Sequence, residues 1–215
     1  IEKYKIPVFL FAPIGFCLPK TDIIGLRSRC LYHSFFQNQE ANERDIKKKL
    51  LLLFNKFLIS DYEILRNYYE KLIRYNNSLF LKKKFLSTNN LIEIAAHPLV
   101  TLSSHSMSHV PLELLPEKWL NWEINESSKY IKKCGGNISF FSYPYGYKNS
   151  FNENIKKILK LNGINYAFTT RARMTHNKSD CLELGRTFLF NNDNKNYVMG
   201  TAFGSMELFD KIFNR

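Results

Sequence analysis

His105-Ser106-Met107-Ser108-His109 sets two imidazoles four residues apart, directly after the apolar run Leu99-Val100-Thr101-Leu102 and Ser103-Ser104. If the segment turns helically, both rings converge on one point, and neutral imidazole is a good ligand for Zn²⁺ and similar divalent ions. A catalytic zinc takes three protein ligands and keeps an open water position, so two ligands alone are not yet a site. The other reading is two hydrogen-bonded loop histidines. A second segment, Phe141-Ser142-Tyr143-Pro144-Tyr145-Gly146, places proline and glycine around Tyr145 at the end of another apolar run. Such a turn fixes the backbone and can direct an amide N–H outward, the group that an oxyanion hole needs. The other reading is a plain turn.

Both segments need elements to position them. Ile6–Ala12 is a short continuous apolar run ended by Pro13-Ile14-Gly15, the pattern of a strand buried on both faces. Residues 21–84 are charged and helical in period, with Ile46, Leu50, Leu53, Phe54 and Phe57 along one face and Ser60-Asp61 as an N-cap before Ile64, Leu65 and Tyr68. This stretch, about 20–84, reads as a helical insertion or lid. Ser87-Thr88-Asn89-Asn90 caps a short helix over Leu91–Ala96, and Leu99–Leu102 reads as a second buried strand. A helix from about Glu117 to Lys133 opens after Pro116 and closes at Gly135-Gly136. Ile138–Ser142, Tyr166–Thr170 and Leu184–Phe190 read as further strands, Asn152–Leu161 and Met206–Phe213 as helices. Strand and helix alternating at this spacing predict βαβ units, a parallel sheet, and a site beyond the carboxyl ends of the strands. That rule points at Ser103–His109, Tyr143–Tyr147 and Thr169–Thr175.

Composition narrows the classes. The 215 residues include 31 Lys and Arg against 19 Asp and Glu, a net charge of +12, and 45% are hydrophobic, which fits a globular chain. The basic excess is spread thin, with runs only at Lys47–Lys49 and Lys82–Lys84, and reads as solvated helix faces; nucleic-acid binding is not expected. Attraction to an acidic glycan or membrane surface is the alternative. No apolar run is long enough to cross a bilayer. Cys17, Cys30, Cys134 and Cys181 form no CxxC pair and are expected to be free buried thiols.

Taken in order, Leu99 to His109, then Trp122-Glu123 through Ser128-Lys129, then Phe141 to Gly146, resemble the polysaccharide deacetylases of the NodB type, carbohydrate esterase family four. Lys5–Phe11 resembles their second strand, and Leu91–Val100 the segment just before their histidine motif. The resemblance covers residues 1–18 and about 85–190. It implies an α/β fold, a distorted (β/α) barrel of NodB type with a helical insertion, in one domain. It also implies metal-dependent hydrolysis of an acetyl group, usually N-acetyl, on an acetylated polysaccharide or glycan. By that likeness His105 and His109 are the histidine ligands of a divalent metal, most commonly Zn²⁺, and Tyr145 offers its backbone N–H to the oxyanion. Tyr143 and Pro144 then lie against the substrate, and Arg186, in Leu184-Gly185-Arg186, matches an arginine that orients an aspartate. A late general-acid histidine is implied as well, and His176 is the late histidine of this chain, with a surface loop residue as the other reading.

The departures are definite. The family carries an Asp-Asp pair, base and third ligand, at the end of its first strand, and no Asp-Asp occurs in this chain. That strand is expected before residue 1, which would leave the fold N-terminally incomplete with an open edge beside Val8–Phe11. The arginine of the Tyr-Pro-Tyr-Gly strand is replaced by Ser142 and Tyr143. Two functions follow as alternatives: a carbohydrate deacetylase, or a relative that binds glycan without catalysis. Oligomeric state and compartment, envelope or cytoplasm, are open.

Overall fold

A computed structural model describes residues 1–36, 48, 52–53, 56, 62–75, 85–173 and 175–187. Four strands, β1 (Val8–Ala12), β2 (Val100–Ser104), β3 (Phe140–Ser142) and β4 (Tyr166–Phe168), form one sheet in the order β1-β2-β3-β4. Every pairing is parallel, with Ala12 opposite Ser104, Ser104 opposite Phe141, and Ser142 opposite Phe168. The fold is therefore α/β with a parallel sheet, as expected, and β1 is an edge strand among the described residues. Leu184 bridges in parallel to Phe168, but 185–187 continue no strand. The rest of the fifth strand expected over Leu184–Phe190, and the helix expected over Met206–Phe213, lie outside the described residues.

The helices are α1 (Ile14–Cys17), α2 (Ile23–Phe36), α3 (Tyr62–Tyr75), α4 (Thr88–Ala95), α5 (Glu117–Lys133) and α6 (Glu153–Leu161). Local chemistry sets their ends. Ser87 and Asn90 form a capping box at α4, and the Asn152 side chain accepts the Ile155 N–H at α6. Pro116, which lacks an N–H, opens α5; Gly135 closes it at φ 81°, a conformation that glycine adopts without strain.

Expectation and structure part first at β1. The run Ile6–Ala12 is not buried on both faces, because its residues alternate. Leu10 and Ala12 pack on a core of Ile14, Leu91, Leu102 and Ile131, while Phe9 and Phe11 turn to the other face. There Phe9 meets Phe140 edge-on at 4.9 Å and Phe11 lies 5.4 Å from Phe168, yet Phe9 stays 47% exposed. An apolar strand tells how hydrophobic both faces are, not whether both are covered. Residues 20–84, expected as a helical insertion or lid, also contribute to a core. Leu26, Cys30 and Leu31 of α2 and Leu65 and Tyr69 of α3 share one buried cluster with Val110, Trp119, Ile124 and Phe141. At these residues the stretch is part of the main core. Leu53 packs on that cluster; Ile46, Leu50, Phe54 and Phe57 lie outside the described residues. Cys17, Cys30 and Cys134 are free and buried as expected, whereas Cys181 is exposed on the turn after α6 and β4. No helix among the described residues is long and apolar enough to cross a membrane.

Candidate active site

Because the strands are parallel, Ala12, Ser104, Ser142 and Phe168 end at one edge, and the loops that follow them meet there. The loop after β2 carries the two histidines. Its five amide N–H groups all donate: His105 to Ala12 O, Ser106 to Ser104 Oγ, Met107 and Ser108 to Glu123 Oε2, and His109 to Ser106 Oγ. From the other side Ile14 N donates to Ser106 O and Gly15 N to Met107 O. These bonds hold Ser106 at φ 66° and His109 at φ 54°, left-handed conformations that cost a side-chain-bearing residue about 1–3 kcal/mol each. At about 1 kcal/mol net per hydrogen bond, and more where a carboxylate accepts, the bonds offset that cost.

The turn brings the rings of His105 and His109 to 4.7 Å between centroids, at 76°. His105 Nδ1 lies 2.6 Å from Ser142 O. A carbonyl only accepts, so Nδ1 carries the proton and Nε2 keeps its lone pair. Burial pushes the His105 imidazolium down to about 3, with His109 and Arg186 adding repulsion and the Ser142 carbonyl opposing. Burial lowers His109 too. Both rings are thus neutral donors near neutral pH, which is what a metal ligand requires.

Tyr145, at φ 64°, follows β3, and its ring lies 5.1 Å from that of His109. Gly146 N donates to Pro144 O at 2.8 Å. Pro144 O and Tyr145 N–H belong to one trans peptide, so fixing the carbonyl fixes the amide to point the opposite way. The Thr170 hydroxyl donates to Tyr145 O and Thr170 N to Gly146 O, tying this turn to the loop after β4. Gly146 has no room for a side chain: a Cβ there would stand 2.7 Å from Thr170 N. Arg186 Nε donates to Thr169 O at 2.8 Å, and its charge is near enough to disfavour protonation of His105.

The structure thus brings His105, His109, Tyr145 and Arg186 together. Tyr143 is placed differently: its ring is fully buried, stacked on Phe151 at 4.2 Å, with the hydroxyl donating to Leu182 O. Pro144 is buried beside it. His176 sits in an exposed turn, its N–H donating to Ser179 Oγ, and none of its described contacts reaches the histidine pair.

Two residues at the site were given no role by the sequence. Tyr32, from α2, sets its ring 6.0 Å from His109, so the helical stretch forms part of the site wall. Nothing in its local sequence marks it. Glu123 left a signal: it lies on the buried stripe of α5 with Trp119, Leu120, Ile124, Ser127 and Ile131, where a carboxylate needs a reason. The donor chemistry of the histidine pair fits two ligands of a zinc ion. Among the described residues no group of three His, Cys, Asp or Glu stands together to hold one.

Comparison with known proteins places the chain. It is 24% identical over 199 residues to Protein HflC of Buchnera aphidicola, across 86% of this chain and 60% of that protein's length. At that identity, in a chain rich throughout in Lys, Asn and Ile, the likeness assigns no family. Among solved structures, IcaB from Ammonifex degensii is 21% identical over 56% of this chain and 54% of its own, with a TM-score of 0.46. The polysaccharide deacetylase BC0361 from Bacillus cereus is 18% identical over 55% and 37%, at 0.47. The Streptococcus pyogenes deacetylase PplD is 15% identical over 91% and 97%, at 0.49. The profile of the polysaccharide deacetylase family matches residues 55–167, just over half of the chain and the part that carries both histidines and Tyr145. The chain belongs to the polysaccharide deacetylase family.

Proposed function

We propose that this domain hydrolyses acetyl groups, N-acetyl foremost, from a polysaccharide or glycan with the help of a divalent metal, zinc by preference. The observation that carries the reading is the convergence of His105 and His109 at 4.7 Å, with His105 Nδ1 locked on Ser142 O so that Nε2 is a donor. His105 and His109 would hold the metal. When bound, it supplies Lewis-acid polarisation of the acetyl carbonyl and of a water molecule. The chain's own part is positional. The Tyr145 N–H, fixed through Pro144 O, receives the negative charge that develops on the acetyl oxygen, and a preset donor costs no reorganisation there. Arg186, held on Thr169 O, presents a guanidinium beside His105. Tyr143 and Pro144 back the Tyr145 turn from the core, which shapes the substrate side without the Tyr143 ring reaching it.

A second reading, glycan binding without hydrolysis, draws on the two-histidine donor set among the described residues. One experiment separates them: zinc content and acetate release from an N-acetylated oligosaccharide, for the chain beside a His105→Ala/His109→Ala variant. Stoichiometric zinc lost in the variant, together with acetate release from the unaltered chain, is expected. Zinc uptake identical in both proteins overturns the metal site. Oligosaccharide binding that survives His105→Ala, with no acetate released by either protein, favours the second reading.

A further inference from the structure

We propose that Glu123 is the positioning residue of the histidine pair, a buried carboxylate that shapes the loop so that both imidazoles face one point; this rests on the reading of the pair as metal ligands. Glu123 is fully buried. Its Oε2 accepts the N–H of Met107 at 2.8 Å and of Ser108 at 2.9 Å, and its Oε1 accepts the Ser108 hydroxyl. These are the central residues of the five-residue loop, and the left-handed residues Ser106 and His109 flank them. Two successive amides aimed at one oxygen require that bend, and the bend carries the two rings to one side.

The environment argues against a role in packing alone. The neighbouring buried positions of α5 are Trp119, Leu120, Ile124 and Ile131, and a leucine at 123 would bury more apolar surface at less cost. Among the described residues no Lys, Arg or His donates to the carboxylate; its partners are Met107, Ser108 and the Ser106 side chain. A buried carboxylate without a cation is expensive unless its donors are all in place, so Glu123 and the loop stabilise one geometry together. Ser104 and Ser127, hydroxyl to hydroxyl at 2.7 Å, brace the start of the same loop on the same helix.

The test uses the full chain and two readouts: zinc affinity, and the imidazole ¹H–¹⁵N spectrum of the metal-free protein. Glu123→Gln keeps the shape but replaces the oxygen that faces the Ser108 hydroxyl by an NH₂, so that the hydroxyl must turn round and accept. It is expected to melt cooperatively, to lose zinc affinity about 10- to 100-fold, as outer-shell substitutions do, and to shift the His105 and His109 signals. Zinc affinity within about twofold of the unaltered chain, with unchanged imidazole signals, overturns the proposal. If Glu123→Gln does not melt cooperatively, Ser108→Ala decides, since it keeps the carboxylate and both amide bonds. A several-fold loss of affinity at an unchanged melt supports the role, and unchanged affinity overturns it. If the unaltered chain takes up no more zinc than His105→Ala/His109→Ala, the metal reading fails by itself. The imidazole signals then judge Glu123 alone: altered in the Gln variant they support it, identical they overturn it.

Discussion

The histidine loop after β2 and the segment after β4 both leave the carboxyl edge of the sheet, yet they are built in opposite ways. From His105 to His109 every amide donates to the protein, and two side-chain-bearing residues are held in the left-handed region. From Thr175 to Lys178 the chain is exposed, and among the described residues His176 is tied to Ser179 across its own turn. What anchors the later segment is charge at its far end. Glu183 accepts from Arg171 at 3.2 Å, from Arg173 at 3.1 Å and from the buried Lys156 of α6, while Lys156 also reaches Asp180 at 2.9 Å. Burial and charge oppose each other at these groups, and the contacts to Lys156 win for Glu183 and Asp180, whose acids are lowered. The difference teaches where precision resides. Buried backbone bonds can hold two rings to a fixed separation; partly exposed ion pairs hold a segment in place but leave its tip to solvent.

The largest expected effect comes from breaking the tight side. Gly15 N donates to Met107 O, and a Cβ at Gly15 would collide with the Ser28 side chain and stand 2.6 Å from Met107 O. Gly15→Ala must push α1, α2 or the histidine loop aside. A loss of about 3 kcal/mol is expected, a fall in Tm of roughly 6–12 °C for a chain of this size. Thermal unfolding by circular dichroism checks it, and a Tm within 2 °C or so of the unaltered chain would show that the loop yields easily.

Acid should act next, through the wall behind the loop. His33 is buried between α2 and α3, its ring 5.7 Å from Tyr69, with Arg29 and Lys20 nearby. Burial, reinforced by those two cations, pushes its imidazolium down to about 4 from an ordinary 6.5. The folded state therefore binds fewer protons than the unfolded one in this window. The stabilisation is full above 6.5 and is lost as pH falls toward 4, by roughly 2 kcal/mol at the lower end. Urea unfolding at pH 7 and 4.5 should show a shallower pH dependence in His33→Phe, which cannot charge. Equal slopes in the two proteins would remove His33 from the account.

Much of this was legible beforehand, and the limits have physical causes. Glu117–Lys133 was readable to its ends because proline and glycine act locally on the backbone, and so was the Ser87 cap. The histidine pair and the Tyr145 turn were readable because spacing and turn chemistry are also local. The role of α2 was not. That Tyr32 faces His109 depends on how α2 docks, and docking is decided by residues from 26 to 182 that share one core. Glu123 was named in a motif without a partner, because its partners lie 15 and 16 positions back along the chain. The continuous apolar run of β1 could not say which of its faces would be covered.

The smallest effect is expected at the loose end, and it tests the comparison most sharply. His176 was the candidate for a late general acid on its position in the chain alone. Its side chain is exposed, and its described contacts stay within its own turn. His176→Ala should change stability by less than about 0.5 kcal/mol, as surface substitutions do. Zinc uptake should be unchanged, and so should the pH profile of acetate release, since an exposed ring whose residue is held through its backbone has no fixed reach to a leaving group. A general acid is worth about 10²- to 10⁴-fold in rate. A fall of that size in His176→Ala, with zinc uptake and melt intact, would mean that the segment after β4 folds over the histidines when substrate binds. The exposed tip would then be the moving half of the site rather than a bystander to it.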